Sequence, residues 1–352
     1  MRPIEDYVSR MSGADSGAMN AAKRLQDTLT KPQGSLGKLE DISIRLAGIY
    51  GVPRPSIGRK AVFTMAADHG VTAEGVSAYP QEVTRQMVLN FASGGAAINV
   101  LSRHVGAEVK VVDMGVATSE DWPEGIVNRK VGMGTEDMAK GPAMTVDEAK
   151  TCLEVGAELA AQSIQDGVNA LAIGDMGIGN TTAASAITAT VSGRAPSEVT
   201  GRGTGIDDSR LRTKVSVIES ALRVNAPDPS DGLDVLSKVG GFEIGGMAGV
   251  LIGAASSRVP VFLDGFVTSS AALIASVICP ESVDFMIASH LSIEPGHEYA
   301  LAHLDLEPVL NLHMRLGEGT GAVLALDIAD ASCKVLAEMA TFDGAGVSGE
   351  CE

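Results

Sequence analysis

Short apolar runs that end in glycine or an acidic residue, each followed by a stretch with helical periodicity, recur through the middle of this 352-residue chain. Runs of that length read as strands buried on both faces, and their alternation with helical stretches predicts βα units in a parallel sheet. The clearest strands fall at 61–66, 109–112, 170–173, 259–263 and 283–287. Helices are predicted at 80–104, 146–165, 182–191, 208–223, 233–256 and 268–279, with polar caps or glycines near their ends. The expected fold class is α/β, an open, doubly wound, mostly parallel sheet spanning residues 59–300.

The two chain ends read differently. Residues 1–58 are helical and amphipathic, broken at Lys31-Pro32-Gln33-Gly34-Ser35 and bounded by the proline-rich Gly51-Val52-Pro53-Arg54-Pro55. Beyond residue 300 the pattern is helical again, with one helix predicted to open at Glu307-Pro308 and another at Gly319-Thr320-Gly321. Residues 344–352 are expected to fray. The expectation is that 1–58 and 301–352 pack together as one small helical lobe.

Composition sharpens this picture. A hydrophobic fraction of 45% with 41 glycines and only 3% aromatics implies small side chains and helices seated close on the sheet. A net charge of -17 argues against nucleic acid and anionic membrane as partners, since both need clustered Lys and Arg. An anionic small molecule remains open, because a helix N-terminus or a nest of N–H groups holds phosphate whatever the global charge. Cys152, Cys279, Cys333 and Cys351 form no CxxC pair and read as reduced structural thiols. The N-terminus lacks an apolar core, and Arg258 and Asp264 cut the apolar 245–280 region below membrane-spanning length, so a cytoplasmic protein is expected.

Ligands of open α/β sheets bind at the carboxyl ends of the strands, so the residues there carry the functional reading. Asp68-His69-Gly70-Val71 reads either as a functional loop or as a turn with a satisfied histidine. The strongest signal is Gly174-Asp175-Met176-Gly177-Ile178-Gly179-Asn180-Thr181-Thr182, between a strand and a helix. Its glycines allow close backbone approach, and its polar triplet sets amides and hydroxyls at a helix N-terminus, suited to phosphate. It is neither a Walker loop nor a dinucleotide fingerprint. Gly201-Arg202-Gly203-Thr204-Gly205-Ile206-Asp207-Asp208 offers a second N–H nest, ahead of a helix expected to expose Lys214; a capped glycine turn is the alternative. Asp264 ends another strand beside Gly265. Further on, Ser289-His290-Leu291-Ser292-Ile293-Glu294-Pro295-Gly296-His297 brings two histidines and a glutamate, but in a proline-broken loop without i,i+4 pairing, so no metal is expected. Leu316-Gly317-Glu318-Gly319-Thr320-Gly321 places an acid between glycines, free to meet a ligand or to favour a helix dipole.

Taken together, these loops resemble those of the nicotinate-nucleotide:dimethylbenzimidazole phosphoribosyltransferases, which make α-ribazole phosphate for the lower ligand of cobalamin. The resemblance runs nearly end to end, from Lys31-Pro32-Gln33-Gly34-Ser35-Leu36-Gly37 through Tyr79-Pro80-Gln81 and Gly94-Gly95-Ala96-Ala97-Ile98-Asn99 to the Glu318 loop. It implies a Rossmann-like core, a homodimer and no metal or redox cofactor. It implies further that Glu318 is the general base and that Asp175 and Lys214 lie in the active site. The donor it implies is nicotinate mononucleotide, and the acceptor dimethylbenzimidazole.

For the sugar phosphate the expected contacts are Gly177, Gly179, Asn180, Thr181 and Thr182 in the first loop and Gly203, Thr204 and Gly205 in the second, with Asp264 and Ser292. Tyr79, Gln86 and Leu316 are expected at the base pocket. The family usually carries Glu where this chain has Asp175, one methylene shorter. Other acceptor bases, a non-catalytic nucleotide or ribazole binder, and a metal-dependent hydrolase using His69, His290 and His297 are the competing readings.

Overall fold

The computed structural model describes residues 2–203 and 205–348. Six strands, β1 Arg59–Ala67, β2 Ala107–Gly115, β3 Ile126–Asn128, β4 Val168–Met176, β5 Val261–Leu263 and β6 Met286–Ala288, form one sheet in the order β3-β2-β1-β4-β5-β6. Every pairing is parallel. The winding direction reverses between β1 and β4, which opens a crevice at their carboxyl ends.

Alternation along β1 explains the layering. Phe63 and Met65 join Leu171 and Ile173 in the core of one face, while Val62 and Ala66 join Ala170, Ala172 and Phe262 on the other. Helices Val146–Gln165 and Phe242–Ala255 cover the first face, and Lys38–Tyr50, Ala97–Val105 and Thr320–Glu338 contribute to the second. On the first face the glycines let two helices touch backbone to backbone: a Cβ on Gly156 would collide with the Gly246 carbonyl oxygen, and one on Gly249 with that of Leu153.

The chain ends meet. Helices Ser16–Gln26 and Lys38–Tyr50 pack on each other and on Thr320–Glu338, with Ala22, Ala47 and Leu336 buried between them. Leu29 bridges Thr341, and the turn Phe342–Ala345 follows at once. The Lys31–Gly37 stretch is explained here: Lys31 is buried and its ammonium lies 2.7 Å from Glu40, whose carboxylate also accepts from the Leu36 N–H.

Several predicted boundaries move, each for a local reason. The helix expected at 80–104 is two, Val83–Ala92 and Ala97–Val105, parted at Gly94-Gly95. The one at 233–256 is likewise two, Gly232–Val239 and Phe242–Ala255, parted at Gly240-Gly241. Pro280–Phe285 is a 3₁₀ turn, which confines the strand predicted at 283–287 to Met286–Ala288. No helix opens at Glu307-Pro308, because 309–310 instead hydrogen-bond to the backbone of Ala288 and Ser289. The helix before it is Pro295–His303. The edge strand β3, three residues long and half exposed, has no apolar run to announce it. Thr204 and residues 349–352, including Cys351, lie outside the described residues, and of the tail expected to fray 344–345 close the short helix Phe342–Ala345. Among those described, no helix is long and apolar enough to cross a membrane.

The glycine contact gives a stability prediction. Gly156→Ala should push the two helices apart and destabilise the protein by about 2 kcal/mol or more. A urea-unfolding midpoint equal to that of the wild type would show that the helices can separate without cost.

Candidate active site

At the carboxyl end of β4 the backbone of another segment lies directly over Gly174, where a Cβ would collide with Glu318 and Gly319. Thr64 Oγ1 on β1 donates to the Glu318 carbonyl at 2.9 Å, and the Glu318 N–H donates to the Asp175 carbonyl at 3.2 Å. Gly317, Glu318 and Gly319 have φ of 85°, 66° and 98°, three left-handed residues in a row. For a non-glycine that conformation costs about 1–2 kcal/mol, and here it turns the glutamate side chain inward. One Glu318 oxygen meets the Ile98 N–H at 3.3 Å, in the first turn of Ala97–Val105. Burial raises the Glu318 pKa, the Asp264 charge adds to the rise, and the Ile98 N–H opposes it.

Asp264 holds this arrangement together. Its carboxylate accepts from the N–H groups of Gly319 at 3.0 Å, Gly321 at 2.6 Å and Ala322 at 3.2 Å, the first donors of Thr320–Glu338. His290 Nε2 stands 3.6 Å away. Asp264 is 1% exposed, does not line the cleft, and has its oxygens taken up by a helix N-terminus.

Asp175 is also buried, with Oδ2 accepting from Asn180 Nδ2 at 2.7 Å and both oxygens facing Gly317. Burial, reinforced by the Asp264 charge and opposed by the Asn180 bond, pushes its pKa from 3.8 to about 8. Beyond it Gly179, at φ 94°, opens the helix Asn180–Ser192. Thr181 Oγ1 there accepts from Lys214 Nζ at 2.8 Å. Lys214 is not exposed as expected but 1% accessible, because its position on Asp208–Asn225 faces the neighbouring helix; desolvation lowers its pKa to about 8, against the pull of Glu294. The second loop closes over it: the Gly203 N–H donates to Glu294 at 3.0 Å, and Arg315 donates to the Gly203 carbonyl at 3.0 Å.

These groups wall one cleft of about 780 Å³. Glu318, Asp175, Lys214, Gly177, Gly179, Asn180, Thr181, Gly203 and Ser292 all line it, with Tyr79 and Leu316 at more than half exposure on its rim. Gln86 and Gly205 are exposed outside it and Thr182 is fully buried beneath, so the structure does not bring those three or Asp264 to the cleft surface. Sequence reading missed Glu294 and Arg315 as cleft residues; a glutamate just before a proline reads as a helix start, and an arginine in an irregular segment reads as surface. Met176, Val83 and Met87 add an apolar wall. A second cavity of about 670 Å³ lies among residues 4–9, 150–153, 228–233 and 277–278, where Glu5 and Lys150 pair with each other at 3.0 Å.

Of the three loop histidines, His290 lines the cleft and the other two are engaged elsewhere. His69 is buried against Glu243 at 2.6 Å beneath the Gly177–Gly179 turn, the satisfied-turn reading of Asp68-His69-Gly70. His297 Nδ1 accepts from the Ser292 N–H at 2.9 Å and its Nε2 faces Ser269 at 3.0 Å, while burial and the neighbouring His290 hold its pKa down at about 3. No group of three or more His, Cys, Asp or Glu among the described residues is arranged to hold a metal.

Comparison with known proteins agrees in class and then in family. The family described as Phosphoribosyltransferase matches residues 11–347. Nicotinate-nucleotide–dimethylbenzimidazole phosphoribosyltransferase of Roseiflexus castenholzii is 56% identical over 352 residues, covering both chains fully. That of Chloroflexus aurantiacus is 57% identical over 345 residues and 98% of each chain. A crystal structure of the enzyme of that name from Thermus thermophilus superposes with a TM-score of 0.91 at 46% identity, covering 96% of this chain and 100% of that one. The fold and matched span make this a phosphoribosyltransferase. The chain belongs to the nicotinate-nucleotide–dimethylbenzimidazole phosphoribosyltransferase family.

The raised Asp175 pKa predicts a pH effect on stability. The folded state keeps a proton that the unfolded chain loses near 3.8, so this contribution is complete below that pH and is lost as pH rises through about 8. Asp175→Asn, which still accepts from Asn180, should melt about 3 °C or more above the wild type at pH 9, and the gap should narrow toward pH 4. A gap that does not change with pH would show that Asp175 ionises normally.

Proposed function

We propose that the protein transfers the 5-phosphoribosyl group of nicotinate mononucleotide to 5,6-dimethylbenzimidazole, forming α-ribazole 5′-phosphate and nicotinate on the route to cobalamin. The observation that carries the mechanism is the placement of Glu318, a buried carboxylate in strained backbone on the wall of a cleft whose other side is built from phosphate-suited loops.

One benzimidazole nitrogen attacks the anomeric carbon of the ribose as the bond to nicotinate breaks. The departing electron pair neutralises the pyridinium, so the leaving group needs no proton. Positive charge develops on the benzimidazole, its other N–H becomes acidic, and Glu318 takes that proton, a contribution typically of about 10²–10⁴-fold. Attack from the face opposite nicotinate turns the β-linkage into α. The amides at the start of Asn180–Ser192, Thr181, Gly203, Ser292 and Lys214 hold the sugar phosphate in place for that attack. Asp175, steadied by Asn180, borders the ribose between phosphate and base. Tyr79, Val83, Met87 and Leu316 offer flat apolar contact to the aromatic acceptor.

The proposed working form is a cytoplasmic homodimer acting on small molecules. Exposed Ile293, Leu312 and Leu316, on two hydrogen-bonded segments at the cleft rim, support a second copy seated there. The helices of segments 1–58 and 301–352 act as one small lobe that delivers Glu318 to the core, a reading supported by the Lys38–Tyr50 and Thr320–Glu338 contact.

Glu318→Gln should leave donor binding near normal and lower turnover at least about tenfold. Product from nicotinate mononucleotide and dimethylbenzimidazole, identified by mass spectrometry against a panel of other benzimidazoles, adenine and phenol, checks both points. Unchanged turnover removes Glu318 as the base, and preference for another acceptor moves the assignment of the aromatic pocket.

A further inference from the structure

Glu294 is the one buried acid of the cleft that the transfer mechanism leaves without a task. It stands directly before Pro295–His303, yet its side chain makes no cap bond to that helix. Instead the carboxylate reaches the second loop. One oxygen accepts from the Gly203 N–H at 3.0 Å; the other is buried with no hydrogen-bond partner, wedged against Gly201, where a Cβ would collide with it. Glu294 is 6% exposed and lines the cleft, and the loop it touches also meets Lys214, whose Nζ donates to the Gly201 carbonyl at 3.4 Å.

Charges on the elements around Lys214 are otherwise spoken for. The helix Asn180–Ser192 carries no titratable residue. In Pro196–Val199, Glu198 faces Arg194, and in Gly232–Val239, Asp234 pairs with Lys238. On Asp208–Asn225 itself and its leading loop, Arg202 pairs with Asp208, Asp207 caps the helix through the Arg210 N–H, Arg210 and Arg223 donate to the Ser77 carbonyl and the Ser220 hydroxyl, and Arg212 and Glu219 point to solvent. Arg315 spans to the Gly203 carbonyl. Only the Glu294 charge acts on the buried ammonium, and it favours the protonated form.

We propose that Glu294 is a positioning residue of the phosphate subsite, pinning the Gly201–Gly203 loop over Lys214 and supplying the counter-charge that sets the alkaline limit of sugar-phosphate binding. The inference rests on the assignment of this end of the cleft to phosphate. Glu294 then offsets the Lys214 charge across the loop until an incoming phosphate becomes the closest anion to Lys214. Without the Glu294 charge the desolvated amine gives up its proton at lower pH.

Ribose 5-phosphate binding, followed by titration calorimetry from pH 6.5 to 9.5, tests this; the second phosphate ionisation, near pH 6, lies below that range. Wild-type binding should weaken as pH passes about 8. Glu294→Gln keeps an acceptor for Gly203 but no charge, and its alkaline midpoint should fall by about half a pH unit or more, with binding at pH 6.5 equal or tighter. Gly201→Ala, which displaces the carboxylate by contact, should weaken binding about tenfold even at pH 6.5 if the loop is pinned as described. A Glu294→Gln profile that matches the wild type, or that is weaker by one factor at every pH, overturns the inference while the phosphate assignment stands. Unchanged binding in Gly201→Ala overturns the pinning. Failure of the wild type to bind ribose 5-phosphate at all would sink the phosphate assignment and this inference together.

Discussion

Three backbone N–H groups at the start of Thr320–Glu338 sit in the protein interior, and one carboxylate, that of Asp264, satisfies all of them. Left unpaired, buried donors of this kind cost about 1–3 kcal/mol each, so the helix cannot begin where it does without an acid at the end of β5. That bond fixes the left-handed run at 317–319, which lies across Gly174 and receives the Thr64 hydroxyl. The ends of three neighbouring strands, β1, β4 and β5, thereby settle the direction of a single glutamate. The strain at Glu318 persists because its surroundings allow it no other backbone course.

The same neighbourhood separates its acids by environment. Asp264 spends its charge on amides, Asp175 is pushed up by burial and by Asp264, and Glu318 is raised while keeping one amide donor. The surroundings of Asp175 and Glu318 thus raise both carboxyl groups, Asp175 with a side-chain amide and Glu318 with a backbone amide in opposition. At the opposite end a desolvated lysine faces one glutamate. A chain with a net charge of -17 thus still buries a lysine in the wall of its cleft.

Much of this was legible in the residues. Apolar runs at 61–66 and 170–173 marked the strands flanking the crevice, and the glycine-rich stretches after β4 and before Thr320 marked the loops that line it. What periodicity does not report is which way a polar side chain turns. Asp264 and Glu318 both stand beside glycines in chemically similar strings, yet one faces amides and the other the cleft, a difference set by contacts far apart in the chain. Lys214 looked like a surface residue for the same reason: its exposure depends on what Asn180–Ser192 places against it. The helix breaks at Gly94-Gly95 and Gly240-Gly241 were visible as glycine pairs but not as turns, since another such pair, Gly245-Gly246, packs inside Phe242–Ala255 without ending it.

The position of Thr320–Glu338 in the chain has a consequence for biosynthesis. The ribosome emits the loops after β1 and β4 long before the segment that carries the carboxylate opposite them, and the β4–β5 part of the second face lacks one of its covering helices until that last long helix arrives. A nascent or truncated chain ending before residue 318 would leave that apolar strip bare and would lack the buried carboxylate of the cleft wall. Completion of this face and delivery of Glu318 to the cleft are therefore one event in synthesis.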